Sequence, residues 1–168
     1  MPDRPLNPLQ VYLNDHLAGA TFGAELARQL EAQIEDADFQ SEMSRLAEDI
    51  EADLDTLRDL MQRLGASRNP GKQVAAWVAE KASRLKLTGV TSADGELGTF
   101  LGLEALSLGV EGKAALWTAL RELRGQYPEL QSFDLDDLLD RAQRQRALLE
   151  SQRLALATRS LTTSEHQS

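Results

Sequence analysis

Four long stretches of this chain set apolar residues at alternating three- and four-residue steps. A period near 3.6 admits amphipathic helices closing around a shared core and little else. In the first stretch Leu9, Leu13, Leu17, Ala20, Ala24, Ala27 and Ile34 make the stripe, widened by Tyr12, Leu26 and Leu30. The second runs through Phe39, Met43, Leu46, Ile50, Leu54, Leu57, Met61 and Leu64. The third carries Leu97, Phe100, Leu101, Leu108, Ala115, Leu116, Leu120 and Leu123, with Trp117 adding a large apolar surface. The fourth carries Leu135, Leu138, Leu139, Ala142, Leu149, Leu156 and Leu161.

The residues between the stripes say where each helix starts and stops. Asn7-Pro8 reads as an N-cap followed by proline at the first helical position, where the missing N–H costs nothing. Asp36-Ala37-Asp38 is a break so short that the first two helices must be antiparallel neighbours. Gly65 ends the second helix. Asn69-Pro70 opens a short helix bearing Val74, Trp77, Val78, Ala82 and Leu85, which stops near Thr88-Gly89. The third helix begins near Ser92 to Gly95 and ends at Gly125, and Asp134 caps the fourth. The connection from Gly65 to Gly95 is far longer than a hairpin needs, so the second and third helices are expected to run parallel. The reading is a single all-α domain over 1–168, with 1–6 and 162–168 as flexible tails. Its fold is a ferritin-like four-helix bundle with a short extra helix in the crossover.

Composition narrows the function. With no cysteine among 168 residues, disulfides, thiolate nucleophiles and Cys-ligated zinc or iron–sulfur centres are excluded. A formal net charge of -9 repels phosphate backbones, so nucleic acid is not an expected partner. No basic-then-apolar leader opens the chain. The most apolar run, Phe100 to Val110, is broken by Glu104, so no membrane span is expected and the location reads as cytoplasmic. Neither a Gly-x-Ser-x-Gly turn nor a glycine-rich phosphate loop is present.

Three segments carry a likeness: Tyr12-Leu13-Asn14-Asp15-His16-Leu17-Ala18-Gly19, then Ala79-Glu80-Lys81 with Arg84-Leu85-Lys86-Leu87, then Leu103-Glu104-Ala105-Leu106 with Gly109-Val110-Glu111-Gly112-Lys113. In these the chain resembles an uncharacterised bacterial family of small, helical, ferritin-like proteins. The resemblance covers nearly the whole chain. It implies the fold and brings no activity with it. The ferritin-like di-iron site needs a Glu-x-x-His on each of two helices. Here Leu13 and Thr163 stand three residues before the two histidines, His16 and His166, so the motif is missing.

Polar residues that interrupt the stripes are the remaining candidates. Glu104 and Glu111 are seven residues apart and share a face of the third helix, flanked by Leu101, Leu108 and Ala115. His16 lies within the apolar face of the first helix, Glu150 interrupts the fourth, and Glu51 or Asp53 extends from the second. Buried together, His16, Glu104, Glu111, Glu150 and Glu51 would hold one or two cations such as iron, manganese or zinc. The plainer reading is a structural polar layer in which His16 donates to a carboxylate and Arg146 or Arg153 answers Glu150. Asp137–Arg141 and Asp140–Arg144 have the spacing of surface pairs on a solvated face. No catalytic residue or bound cofactor is assigned, and whether the chain is an enzyme stays open at this point. The leading expectation is a non-enzymatic helical interaction or scaffold module that self-associates as a homo-oligomer. The alternative is a ferritin-like metal-binding or redox protein.

Overall fold

The computed structural model describes residues 7–66, 76, 79–80 and 95–162. Four long helices account for nearly all of them: α1 (Pro8–Gln33), α2 (Ala37–Arg63), α3 (Glu96–Glu122) and α4 (Leu135–Leu161). A single 3₁₀ turn, Pro128–Ser132, precedes α4. There is no strand among the described residues. Each helix is about 40 Å long at 1.5 Å per residue. Of the short crossover helix expected between Asn69 and Thr88, only Ala76, Ala79 and Glu80 are described, and they are helical. The rest of that segment and most of the two tails lie outside the described residues.

The ends form where their residue types dictate. Asn7 accepts from the Gln10 backbone N–H while the Gln10 side chain accepts from the Asn7 N–H, a complete capping box ahead of Pro8. Asp36 and Asp134 cap α2 and α4 in the same way, accepting from Phe39 and Asp137. At the far end of α2, Gly65 takes φ +62°, and the Ala66 N–H reaches back to the Met61 carbonyl at 2.8 Å. That left-handed step favours a residue without Cβ.

Cross-helix pairs fix the directions. Arg28–Glu51 and Gln10–Gly65 set α1 against α2. Arg121–Asp136, Glu111–Arg146 and Arg159–Glu96 set α3 against α4. Leu30, late in α1, lies over Gly102, early in α3, so those two are also antiparallel. Gln152–Glu42 and Arg141–Asp53 show the same for α2 and α4. Thus α2 and α3 point the same way, and the residues joining them link opposite ends of the bundle.

The core is built from Leu13, Ala27, Leu30, Met43, Leu57, Leu60, Leu103, Leu106, Trp117, Leu120, Leu149 and their neighbours. On α3 the inward stripe is Phe100, Leu103, Leu106, Val110, Lys113, Trp117 and Leu120, at steps of three and four. This corrects the sequence reading of the third helix. Leu108 is 75% exposed, Leu97 and Ala115 are exposed, and Leu101 is only partly covered. The physical reason is that α3 carries two stripes with the same step, one residue out of phase. Burying Phe100, Leu106, Val110 and Trp117 removes more apolar area than burying the stripe that holds Glu104 and Glu111.

Candidate functional site

The inward stripes explain how charge enters the interior. On α2 the steps Met43, Leu46, Ile50, Asp53, Leu57, Leu60 put an aspartate where a leucine is expected. On α3 they put Lys113 between Val110 and Trp117, and on α4 they put Gln145 between Ala142 and Leu149. All three meet at one level. Lys113 Nζ lies 2.5 Å from Asp53 Oδ2 and 2.5 Å from Gln145 Oε1. Gln145 Nε2 donates to the same Asp53 oxygen at 3.2 Å. Arg141 Nη2 approaches Asp53 Oδ1 to 2.7 Å, close enough for ion pairing but off the line of a hydrogen bond, so Oδ1 has no donor aligned with it. Asp53 is 1% exposed and Gln145 3%. Burial holds the Lys113 ammonium below its ordinary value, and Asp53 pulls it part of the way back.

Beside this layer, α1, α2 and α3 border a cavity of about 190 Å³ that opens to solvent. Glycines stand on two of its walls, Gly19 and Gly23 from α1 and Gly109 and Gly112 from α3, while Asp53, Lys113 and Trp117 line its inner side. A Cβ added at Gly23, Gly109 or Gly112 would meet nothing within 4 Å. Trp117 is 1% exposed, and its indole Nε1 has no hydrogen-bond partner. His16 and Asp15 stand at the α1 side of the cavity. The His16 ring meets Tyr12 edge to face at 4.5 Å, and burial lowers its pKa, with Asp15 opposing.

The expected metal cluster does not assemble. Glu104, Glu111, Glu150 and Glu51 expose 47%, 58%, 49% and 43% of their side chains. Each is answered by arginine: Arg153 holds Glu150 at 2.8 Å and Glu104 at 3.4 Å, Arg146 holds Glu111, and Arg28 holds Glu51 at 2.7 Å. His16 borders the cavity between α1, α2 and α3, and none of the four glutamates lines it. Among the described residues no three His, Asp or Glu side chains converge as metal ligands, so this donor set does not fit a bound cation. The arginine answering Glu150 is Arg153, one of the two expected. Arg141, expected on a solvated face with Asp137, turns inward to Asp53 instead.

Sequence reasoning placed Asp53 only as an accessory and missed Lys113 and Gln145. The signal was available: each occupies a core step of its helix.

The outer side of α3 and α4 has a different character. The second α3 stripe, Leu97, Leu101, Glu104, Leu108, Glu111, Ala115, borders a shallow groove floored by Ala114, Ala115, Ala119 and Ala147 and edged by Glu111, Glu122, Arg146 and Glu150. Leu154 and Leu161 on α4 are 56% and 62% exposed. Among the described residues no helix is long and apolar enough to cross a membrane. No protein-family model, curated protein or solved structure matches the chain.

Proposed function

We propose that this protein is a non-enzymatic helical interaction module that assembles with a second copy of itself through the outer α3–α4 face. The observation that carries the reading is the second heptad-like stripe on α3. It repeats the step of the core-facing stripe yet leaves Leu108 exposed, next to a groove of small residues edged by both signs of charge. Small side chains let a further helix approach closely, and a two-fold dimer makes one such face serve both partners. We also read the connectivity as ferritin-like, supported by parallel α2 and α3 joined by a long crossover. No arrangement of donors among the described residues favours the metal-binding alternative.

Size-exclusion chromatography with light scattering tests the reading. The wild-type chain is expected to run as a dimer or larger species, and Leu108→Glu with Leu154→Glu as a monomer of unchanged helicity. A wild-type chain that is monomeric at every concentration overturns it.

A further inference from the structure

The outer α3–α4 face is divided lengthwise by charge. Along its α3 edge stand Glu96, Glu104 and Glu111, and along its α4 edge Arg159, Arg153 and Arg146. Each glutamate is level with one arginine, because these are pairs that join the two antiparallel helices. All six except Arg153 remain about half-exposed or more. A carboxylate accepts at two oxygens and a guanidinium carries five N–H donors, so a pair made within one copy leaves capacity for a second. Glu150 is the exception on the α4 edge, and Arg153 holds it at 2.8 Å. The α3 edge stays acidic to Glu122, while Asp136, level with it on α4, is held by Arg121 and Arg124.

A face made of two antiparallel helices can be laid on its own copy in two ways. A two-fold axis along the bundle sets α3 on the partner's α4, with like ends together. An axis across the bundle sets α3 on the partner's α3, with ends reversed. Resting on the assembly reading above, we propose that the axis runs along the bundle, so that Glu104 and Glu111 accept from the partner's Arg153 and the partner's Arg146, and that ionic strength thereby governs assembly. The reversed arrangement lays the glutamate row on a glutamate row and arginine on arginine, and like charges set face to face cost affinity. With the axis along the bundle, an isologous interface makes every favourable contact twice. That axis also gathers the exposed leucines. Leu97 adjoins Glu96 and Leu161 lies two residues from Arg159, so Leu97 meets the partner's Leu161 at one end. At the other end Ala115, Ala119 and Ala147 let the helices come close.

Two measurements test the axis separately from whether a dimer forms. The first is the dissociation constant of the unmodified chain by analytical ultracentrifugation, as sodium chloride rises from about 0.05 to about 0.5 M. It is expected to increase about tenfold, because salt screens the facing opposite charges. The second is the distance between nitroxide labels on Ser151→Cys or Thr158→Cys, measured by double electron–electron resonance. Both residues are exposed on α4, and the chain has no cysteine of its own. With the axis along the bundle, the two variants give nearly the same distance. With the axis across it, the Thr158→Cys labels lie about 20 Å further apart than the Ser151→Cys labels, since the seven-residue offset at 1.5 Å per residue counts once in each copy. Glu111→Arg is expected to weaken the dimer at least about tenfold, and adding Arg146→Glu to restore it to within about threefold. A dimer that salt leaves unchanged or tightens, or one with the longer Thr158→Cys distance, overturns this axis and leaves assembly through the face standing. A chain that is monomeric at every concentration overturns both.

Discussion

Two faces of α3, one residue out of step, have opposite fates. The inward face accepts one charged residue, Lys113, and surrounds it with Asp53 and Gln145. The outward face carries two glutamates and pairs them with arginines that remain in contact with water. The sequence pattern looks the same in both. What separates them is the volume of the apolar residues between the charges, Phe100, Val110 and Trp117 against Leu97, Leu108 and Ala115. A helix with two candidate faces buries the bulkier one, and the charges on each face then inherit their environment.

The sharpest way to break this comparison is to remove one carboxylate from each side. Asp53→Ala strands Lys113 beside Arg141 in the interior and is expected to cost on the order of 3–5 kcal/mol in urea unfolding. Glu111→Ala, which frees an arginine into solvent, is expected to cost about 1 kcal/mol or less. Equal losses would erase the distinction. Replacing the buried pair together, Asp53→Leu with Lys113→Leu, is expected to recover most of the Asp53→Ala loss, because apolar substitutes for a buried ion pair range from neutral to about 4 kcal/mol stabilising. Arg141, a quarter exposed, can then turn to water.

Two glycines seven residues apart on α3 sharpen it further. A Cβ at Gly102 would lie 2.5 Å from Leu30 Cδ2, whereas one at Gly109 would touch nothing. Gly102→Ala is therefore expected to cost about 1 kcal/mol as Leu30 shifts, and Gly109→Ala to gain up to about 1 kcal/mol of helix stability. Thermal melts of the two variants should move in opposite directions.

The smallest expected effect is on pH. Burial lowers the His16 pKa, so the unfolded chain binds that proton more readily, and stability rises with pH from the folded value up to the ordinary 6.5. Acidification just below pH 6.5 should then destabilise the wild type more steeply than His16→Gln. Glu31 and Glu51, held below their ordinary 4.5 by Arg28, contribute stability that is lost only as pH falls below that value. Identical slopes for wild type and His16→Gln between pH 7 and 5 would place His16 in solvent.

Much of this fold was readable because helix punctuation is local. Asn7-Pro8, Asp36, Gly65 and Asp134 each act within one turn of themselves, and all four end or start helices as expected. The choice of face on α3 was not local. It depends on which stripe meets α1 and α4, and Glu104 and Glu111 looked buried only because their apolar neighbours belonged to the losing stripe. Asp53, Lys113 and Gln145 were legible one helix at a time as polar residues on core steps. That they share a level depends on how the helices are aligned along the bundle axis, which no single helix encodes.

The pairing of Gln10 with the Gly65 carbonyl, at 3.2 Å, has a consequence for how the molecule breathes. The first two helices are tied by covalent chain at one tip and by this exposed amide at the other, which opposes fraying there by about 1 kcal/mol or less. Gln10→Ala should therefore speed the exchange of backbone hydrogens with deuterium at the tip nearest Gly65 and leave the middle of both helices unchanged.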